Sequence, residues 1–211
     1  MTVRSDDPPS RAGSLPLVGG DLALDFANTE SGRSFPSHQN HFLSAANVLD
    51  WLAHSSALPE PDVAWLRAET AVRPDLGEAI LSRALALRSA IHGVASAIGR
   101  HETPPQDSLA TLSHYYANLI GKAKLVAEGH RCGWRWPLRE TPLEATLGPV
   151  ALAAVRLFVE GDLSRVKECG GHACGWVFYD TTKNNRRRWC EMEVCGNRAK
   201  QKRLAARRRG A

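Results

Sequence analysis

The 211-residue sequence predicts an α+β fold: a mostly helical N-terminal body with one small β-hairpin, then a small cysteine-rich module made of a knuckle, a hairpin and a helix. Three observations predict it. Apolar residues recur at helical spacing through Leu76, Ile80, Ala84, Leu87, Ile91, Val94 and Ile98. Between Leu125 and Glu140 the pattern changes, with Val126, Trp134, Trp136 and Leu138 set around Gly129 and Gly133, as in a hairpin. Four of the five cysteines fall in two close pairs, Cys169 with Cys174 and Cys190 with Cys195, fifteen residues apart. A content of 43% hydrophobic and 23% charged residues excludes wholesale disorder. The sequence has no apolar run of the roughly eighteen residues that a transmembrane helix needs.

Residues 1–14 read as a flexible tail. Met1 to Gly13 is polar and lacks the apolar core of a signal peptide, so a cytoplasmic protein with no membrane partner is expected. The body follows over 15–161. Asp21 is suited to cap a short helix holding Leu22, Leu24, Phe26 and Asn28, although the alternation of Leu22, Leu24 and Phe26 also permits a strand. Ser31 to Asn40 is a polar loop. Ser44 caps a helix with Val48, Leu49 and Leu52 inward, Pro59-Glu-Pro61 ends it, and the next helix buries Val63 and Leu66. Pro74 opens an amphipathic helix of about 25 residues that reads as core. Pro104-Pro105 separates it from a helix with Leu109, Leu112, Tyr116 and Leu119 inward. After the hairpin, Pro142 begins a last body helix, through Leu147, Val150, Ala154, Leu157 and Phe158 to Gly161.

The module at 162–211 carries the chemistry. Thiols stay reduced in the cytoplasm, so two close cysteine pairs point to one tetrahedral Zn²⁺ rather than to disulfides. Cys169, Cys174, Cys190 and Cys195 are the expected ligands. His172 lies between the first two and is an alternative to one of them. Four protein ligands leave no open position, so the zinc would be structural. Cys132 has no partner and reads as a buried small hydrophobe. Gly175 to Tyr179 reads as a strand, Asp180 to Asn185 as a turn, and Arg186 to Trp189 as the returning strand. A helix from about Met192 to Arg208 completes a treble-clef-like order.

Charge divides the same way. From Lys183 onward there are eleven basic and two acidic residues, net +9; the other 182 residues hold sixteen basic and twenty acidic, net −4. A helix basic nearly all round is better explained by phosphates than by packing, which makes Arg198, Lys200, Lys202, Arg203, Arg207, Arg208 and Arg209 candidate nucleic-acid contacts. Arg198, three residues after a ligand, would either read a base or phosphate or brace the finger through Asp180.

Cys195-Gly-Asn-Arg198, preceded by Phe178-Tyr-Asp-Thr-Thr182 and Arg188-Trp-Cys190, resembles the CGNR zinc-finger family over about 163–209. Leu22-Ala-Leu-Asp-Phe-Ala-Asn-Thr29, soon after Gly19-Gly20, is similar to the ABATE domain that usually precedes that finger. The resemblance implies a bacterial transcription regulator with zinc-dependent DNA binding, found at the nucleoid when bound. In the body no catalytic motif stands out, so no enzyme is expected. Asp25, Asn28 and Thr29 share a helical face. They either cap and bond tertiary structure or form the polar corner of a small-molecule effector pocket walled by Trp134 and Trp136. A homodimer is expected, because so small a DNA-binding module gains affinity from two copies. An RNA- or ribosome-associated zinc protein is the alternative reading, since an Arg-rich helix also suits RNA. An enzyme carrying a structural finger is a third.

Overall fold

The computed structural model describes residues 10–33, 35–36 and 38–209, with side chains as far as Arg208. Among these residues the elements run α1 (Leu22–Ala27), β1 (Glu30–Ser31), β2 (Gln39–Asn40), α2 (Ala45–His54), α3 (Glu60–Val72), α4 (Pro74–Gly99), α5 (Gln106–Ile120), β3 (Lys124–Glu128), β4 (Arg131–Arg135), α6 (Pro142–Ala145), α7 (Gly148–Glu160), β5 (Val166–Glu168), β6 (Val177–Tyr179) and α8 (Asn197–Arg209). The strands form three separate antiparallel pairs, β1 with β2, β3 with β4 and β5 with β6. The architecture is the expected α+β one.

Helix α4 is the axis. Its stripe Leu76, Ile80, Ala84, Leu87, Ile91 and Val94 is buried, and α1, α2, α3, α5 and the β5–β6 hairpin all pack on it. The Asp21 carboxylate accepts from Ala23 N–H at 2.8 Å, so a capped helix prevails over the strand alternative. Ser44 caps α2 in the same manner. Phe26 meets Trp51 and Phe42 with ring centroids 5.1 and 5.3 Å apart, an aromatic centre beneath α1 and α2.

Several expectations are corrected. Of the tail, 1–9 lie outside the described residues, but Ala12 is buried in a single 3-10 turn, Ala12–Ser14, that packs on α2. Ser10 Oγ donates to His41 O and Arg11 N–H to His41 Nδ1, which ties 10–14 to the body. The helix after Pro142 breaks into α6 and α7, because Pro149 has no N–H to donate back into the preceding turn. In α5 Leu109 is exposed, and it is Tyr115, not Tyr116, that is buried, with its hydroxyl on Arg83 O. Cys132 is exposed, since the β3–β4 hairpin projects and leaves Leu125 and Cys132 in solvent.

The largest correction concerns the finger. β6 pairs with β5, not with Arg186 to Trp189, which is irregular chain. Arg187 explains why. Its guanidinium donates to the carbonyls of Trp189 (2.9 Å), Val18 (2.8 Å) and Cys190, and lies 4.3 Å from the Phe178 ring centroid. One side chain thus satisfies the Trp189 carbonyl within the segment and ties the segment to Val18 and Cys190.

Candidate metal centre and the basic face of the finger

The four paired cysteines converge. Their sulfurs lie within 4.8 Å of one another and all four residues are buried. Cys174 Sγ is 3.7 Å from Cys190 Sγ, which is 3.6 Å from Cys195 Sγ. A tetrahedron with Zn–S bonds of about 2.3 Å has edges of about 3.8 Å, so the spacing already fits that metal. His172 takes no place among the four; its ring packs edge-on against Phe35 at 5.3 Å.

Local structure sets each ligand. The knuckle Cys169 to Cys174 turns through Gly170-Gly171, and a Cβ on Gly171 would lie 3.0 Å from Cys195 Sγ, so only glycine lets the second pair approach. Cys169 Sγ accepts from Gly171 N–H (3.4 Å) and Cys190 N–H (3.2 Å), which orients it and favours the thiolate. Cys195 sits in a π turn, Met192–Gly196, that leads directly into α8. Hydrogen bonds from Cys174 and Cys190 hold the Cys169 thiol far below its ordinary value. Cys174 and Cys190 are pushed up through their bonds with Cys169, and burial pushes up Cys195. By themselves these thiols do not all ionise; a divalent cation is what lets four buried thiolates coexist. The donor set therefore fits a closed, structural metal site.

The finger is sewn into the body. Val166 and Val177 belong to the body's buried core, and Trp176 and Tyr179 pack on it. Asn28, 2% exposed, clasps Val177 with both ends of its amide: Nδ2 donates to Val177 O and Val177 N–H donates to Oδ1, each at 2.9 Å. Tyr179 N–H donates to Gly19 O at 2.7 Å. Gly20, at φ +74°, passes so near that a Cβ would meet Tyr179 O at 3.1 Å. Thr29 Oγ1 donates to Phe26 O, and Asp25 accepts from Gly19 N–H at 2.7 Å. The polar face of α1 thus performs tertiary bonding. Trp134 lies on β4, and Trp136 covers Gly148 at the start of α7. The structure does not gather Asp25, Asn28, Thr29, Trp134 and Trp136 into any of the described cavities.

Burial raises the Asp25 carboxyl to about 6, only partly opposed by the Gly19 N–H. Its proton is therefore held more tightly in the folded chain than in the unfolded one. Its share of stability is full below pH ~4 and is lost as pH rises through about 6. Asp25→Asn keeps the acceptor and removes that loss. The variant should equal the wild type near pH 4 and exceed it by about 1–2 kcal/mol at pH 7.5, a figure reduced for partial exposure. Denaturant titrations at the two pH values check this; a gap that does not widen with pH would refute it.

Asp180 is not a partner of Arg198. Its carboxylate is fully buried and accepts from Lys167 Nζ (2.6 Å), Thr182 Oγ1 (2.6 Å), Thr182 N–H (2.9 Å) and Arg187 N–H (2.8 Å). Burial alone would raise its pKa, but these donors more than reverse that and hold it far below the carboxylate range. Arg198 is exposed and, among the described residues, meets no carboxylate. So are Lys200, Lys202, Arg203, Arg207 and Arg208; the Arg209 side chain lies outside the described residues.

Sequence reasoning missed half of this basic face. A cleft of about 300 Å³ beside the metal ligands is lined by Arg198, Lys202 and Arg203 from α8, and by His172, Arg188 and Trp189 from the other side. A second, of about 570 Å³, continues from Trp189 along Lys183, Asn184, Arg186 and Arg188. The signal was the run Arg186-Arg-Arg188, which a strand assignment hid.

No curated protein compared matches the chain. The profile of the CGNR zinc finger matches residues 165–208, which contain all four cysteines. The profile of ABATE, described as "Putative stress-induced transcription regulator", matches residues 20–161. With two thirds of its length so matched, and with a cysteine cluster suited to zinc sealed against it, the chain belongs to the ABATE family and ends in a CGNR zinc finger.

Proposed function

We propose that the protein is a cytoplasmic transcription regulator, not an enzyme, that binds duplex DNA through a finger built on one structural zinc. Cys169, Cys174, Cys190 and Cys195 would hold the ion, and its chemistry there is cross-linking rather than catalysis. The observation that carries the reading is the continuous cationic surface around the cluster. Arg198, Lys202 and Arg203 face Arg188, and Lys183 and Arg186 extend the surface across Trp189. Among the described residues, no carboxylate lines either cleft. Such a surface is costly to fold unless a polyanion answers it. A homodimer would double the contacts. The half-buried Trp189 ring, flanked by arginines, also offers a stacking platform for an unpaired base, which keeps an RNA partner as the second reading.

The test is a titration of the zinc-loaded chain against a selected duplex, with bulk RNA as competitor. Defined duplex should compete far better. Arg207→Ala or Arg208→Ala should weaken all sequences alike and lower the slope of log K against log salt by about 0.9 per lost phosphate contact. Arg198→Ala should cost about 1–3 kcal/mol and blur sequence preference. RNA competing as well as the best duplex would transfer the function to RNA.

A further inference from the structure

A cleft between α4 and the residues Glu30, Arg33 and His38 shares no residue with the cysteine cluster or with the two basic clefts. It is open to solvent, measures about 500 Å³, within the range of small-ligand sites, and is lined by Glu30, Arg33, His38, Ser89 and His92. Its charges do not cancel. Among the described residues Glu30 is the one carboxylate on its lining, and both of its oxygens are already engaged. Oε2 accepts from Arg33 at 3.0 Å and Arg88 at 3.1 Å, and Oε1 meets His38 Nε2 at 2.8 Å. Arg88 stands behind it, 4% exposed, bonded also to Asn40 Oδ1 at 2.7 Å, with its Nε unpartnered among the described residues. Glu168 acts on Arg33 through space, but it is bonded to Arg100 at 2.8 Å and to Ser96. Two guanidinium groups on one carboxylate leave positive charge beside a half-open cleft. An oxyanion placed there gains charge-assisted hydrogen bonds from the guanidinium on its wall.

We propose that this cleft binds a small oxyanion-bearing molecule, a carboxylate or a phosphate, with Arg33 and Ser89 on the anion and Arg88 bracing Glu30 behind them. The walls are bonded to the metal knuckle. Gly32 N–H donates to Cys174 O at 2.9 Å, and His92 Nε2 donates to Gly175 O at 2.8 Å. An occupant that fixes Arg33 and His92 therefore also fixes the backbone at a metal ligand, and by reciprocity the finger's state alters affinity for the occupant. This deepens the regulator reading and rests on it only for the consequence at DNA; binding of the anion is tested without DNA.

The experiment titrates the zinc-loaded full chain with succinate and with inorganic phosphate at constant ionic strength, following amide signals by NMR. At least one anion should saturate in the millimolar range, shifting Arg33, Ser89 and His92 and carrying the shift to Cys174 and Gly175. Saturation by succinate alone assigns a carboxylate, by phosphate alone a phosphate, and by both a general oxyanion site. Ser89 is exposed, so Ser89→Trp closes the mouth without entering the core and should abolish saturation, whereas Arg198→Ala should leave it intact. Neither anion saturating, shifts confined to α8, or saturation surviving Ser89→Trp would overturn the site. Saturation with unchanged duplex affinity upholds the site and overturns only its link to regulation.

Discussion

Stripping the proposed zinc, or replacing Cys190 by serine, is expected to melt the finger and to lower the melting temperature of the helical body with it. Structural zinc contributes about 10–16 kcal/mol to the folding of small fingers, and this finger has a thin core of its own: Phe178 and the cysteines, with Val18, Trp176 and Trp189 packed around them. Separate cores would leave the body intact. Val166 and Val177, however, lie in the body's core, and burying each contributes about 1.5–3 kcal/mol. The Asn28 clasp on Val177 adds two buried hydrogen bonds that unfolding the finger leaves unmade. A loss near 4 kcal/mol in a chain of this size lowers the melt by about 8–16 °C. Calorimetry of the zinc-loaded and chelated forms checks it. Two transitions, the upper one unmoved by chelation, would show that the seam carries no stability. Asn28→Ala separates the effects: it should cost on the order of 2–4 kcal/mol with zinc fully retained.

How much of this was legible in the sequence depended on whether a feature repeats. The buried face of α4 was legible because six apolar residues recur at one helical period. The ligands were legible because each pair is closed by a turn of four residues. The seam was not. Asn28 and Val177 are 149 residues apart, and an amide that clasps a single strand residue leaves no period to detect. It surfaced only as an ambiguous polar face on α1, which fitted an effector pocket as well as tertiary bonding. Arg186 to Trp189 misled for a different reason. Its place after a strand and a turn suits a returning strand, yet Arg187 reaches back to Val18, 169 residues away, and draws the chain out of pairing. The cleft at Glu30 was invisible because Arg33, His38, Ser89 and His92 come from a loop and a helix that the fold alone juxtaposes.

Asp180→Asn is expected to be among the most damaging single changes outside the ligands, costing about 3–5 kcal/mol. The carboxylate is 0% exposed and receives four donors, so it organises the 180–187 turn from within. Among the described residues Lys167 has no second carboxylate; its ammonium otherwise meets the carbonyls of Asn185 and Arg187, at 2.8 and 3.3 Å. An amide offers one acceptor where the carboxylate offers two and turns an NH2 group toward donors. It therefore leaves a half-buried ammonium without its counter-charge. Lys167→Met alone should cost less than Asp180→Asn, because the carboxylate keeps Thr182 and the Arg187 N–H. The double mutant should recover part of the sum, a coupling of about 1–3 kcal/mol between contacting residues. The same cycle between Asp180 and Arg198 should return no coupling, since Arg198 is exposed and faces the cationic cleft instead. Urea midpoints of the zinc-loaded variants measure all of these. Coupling to Arg198 rather than to Lys167 would make Arg198 a brace of the finger and remove it from the nucleic-acid surface. Coupling to Lys167 alone leaves Arg198 unengaged by Asp180, as a residue that reads a target must be.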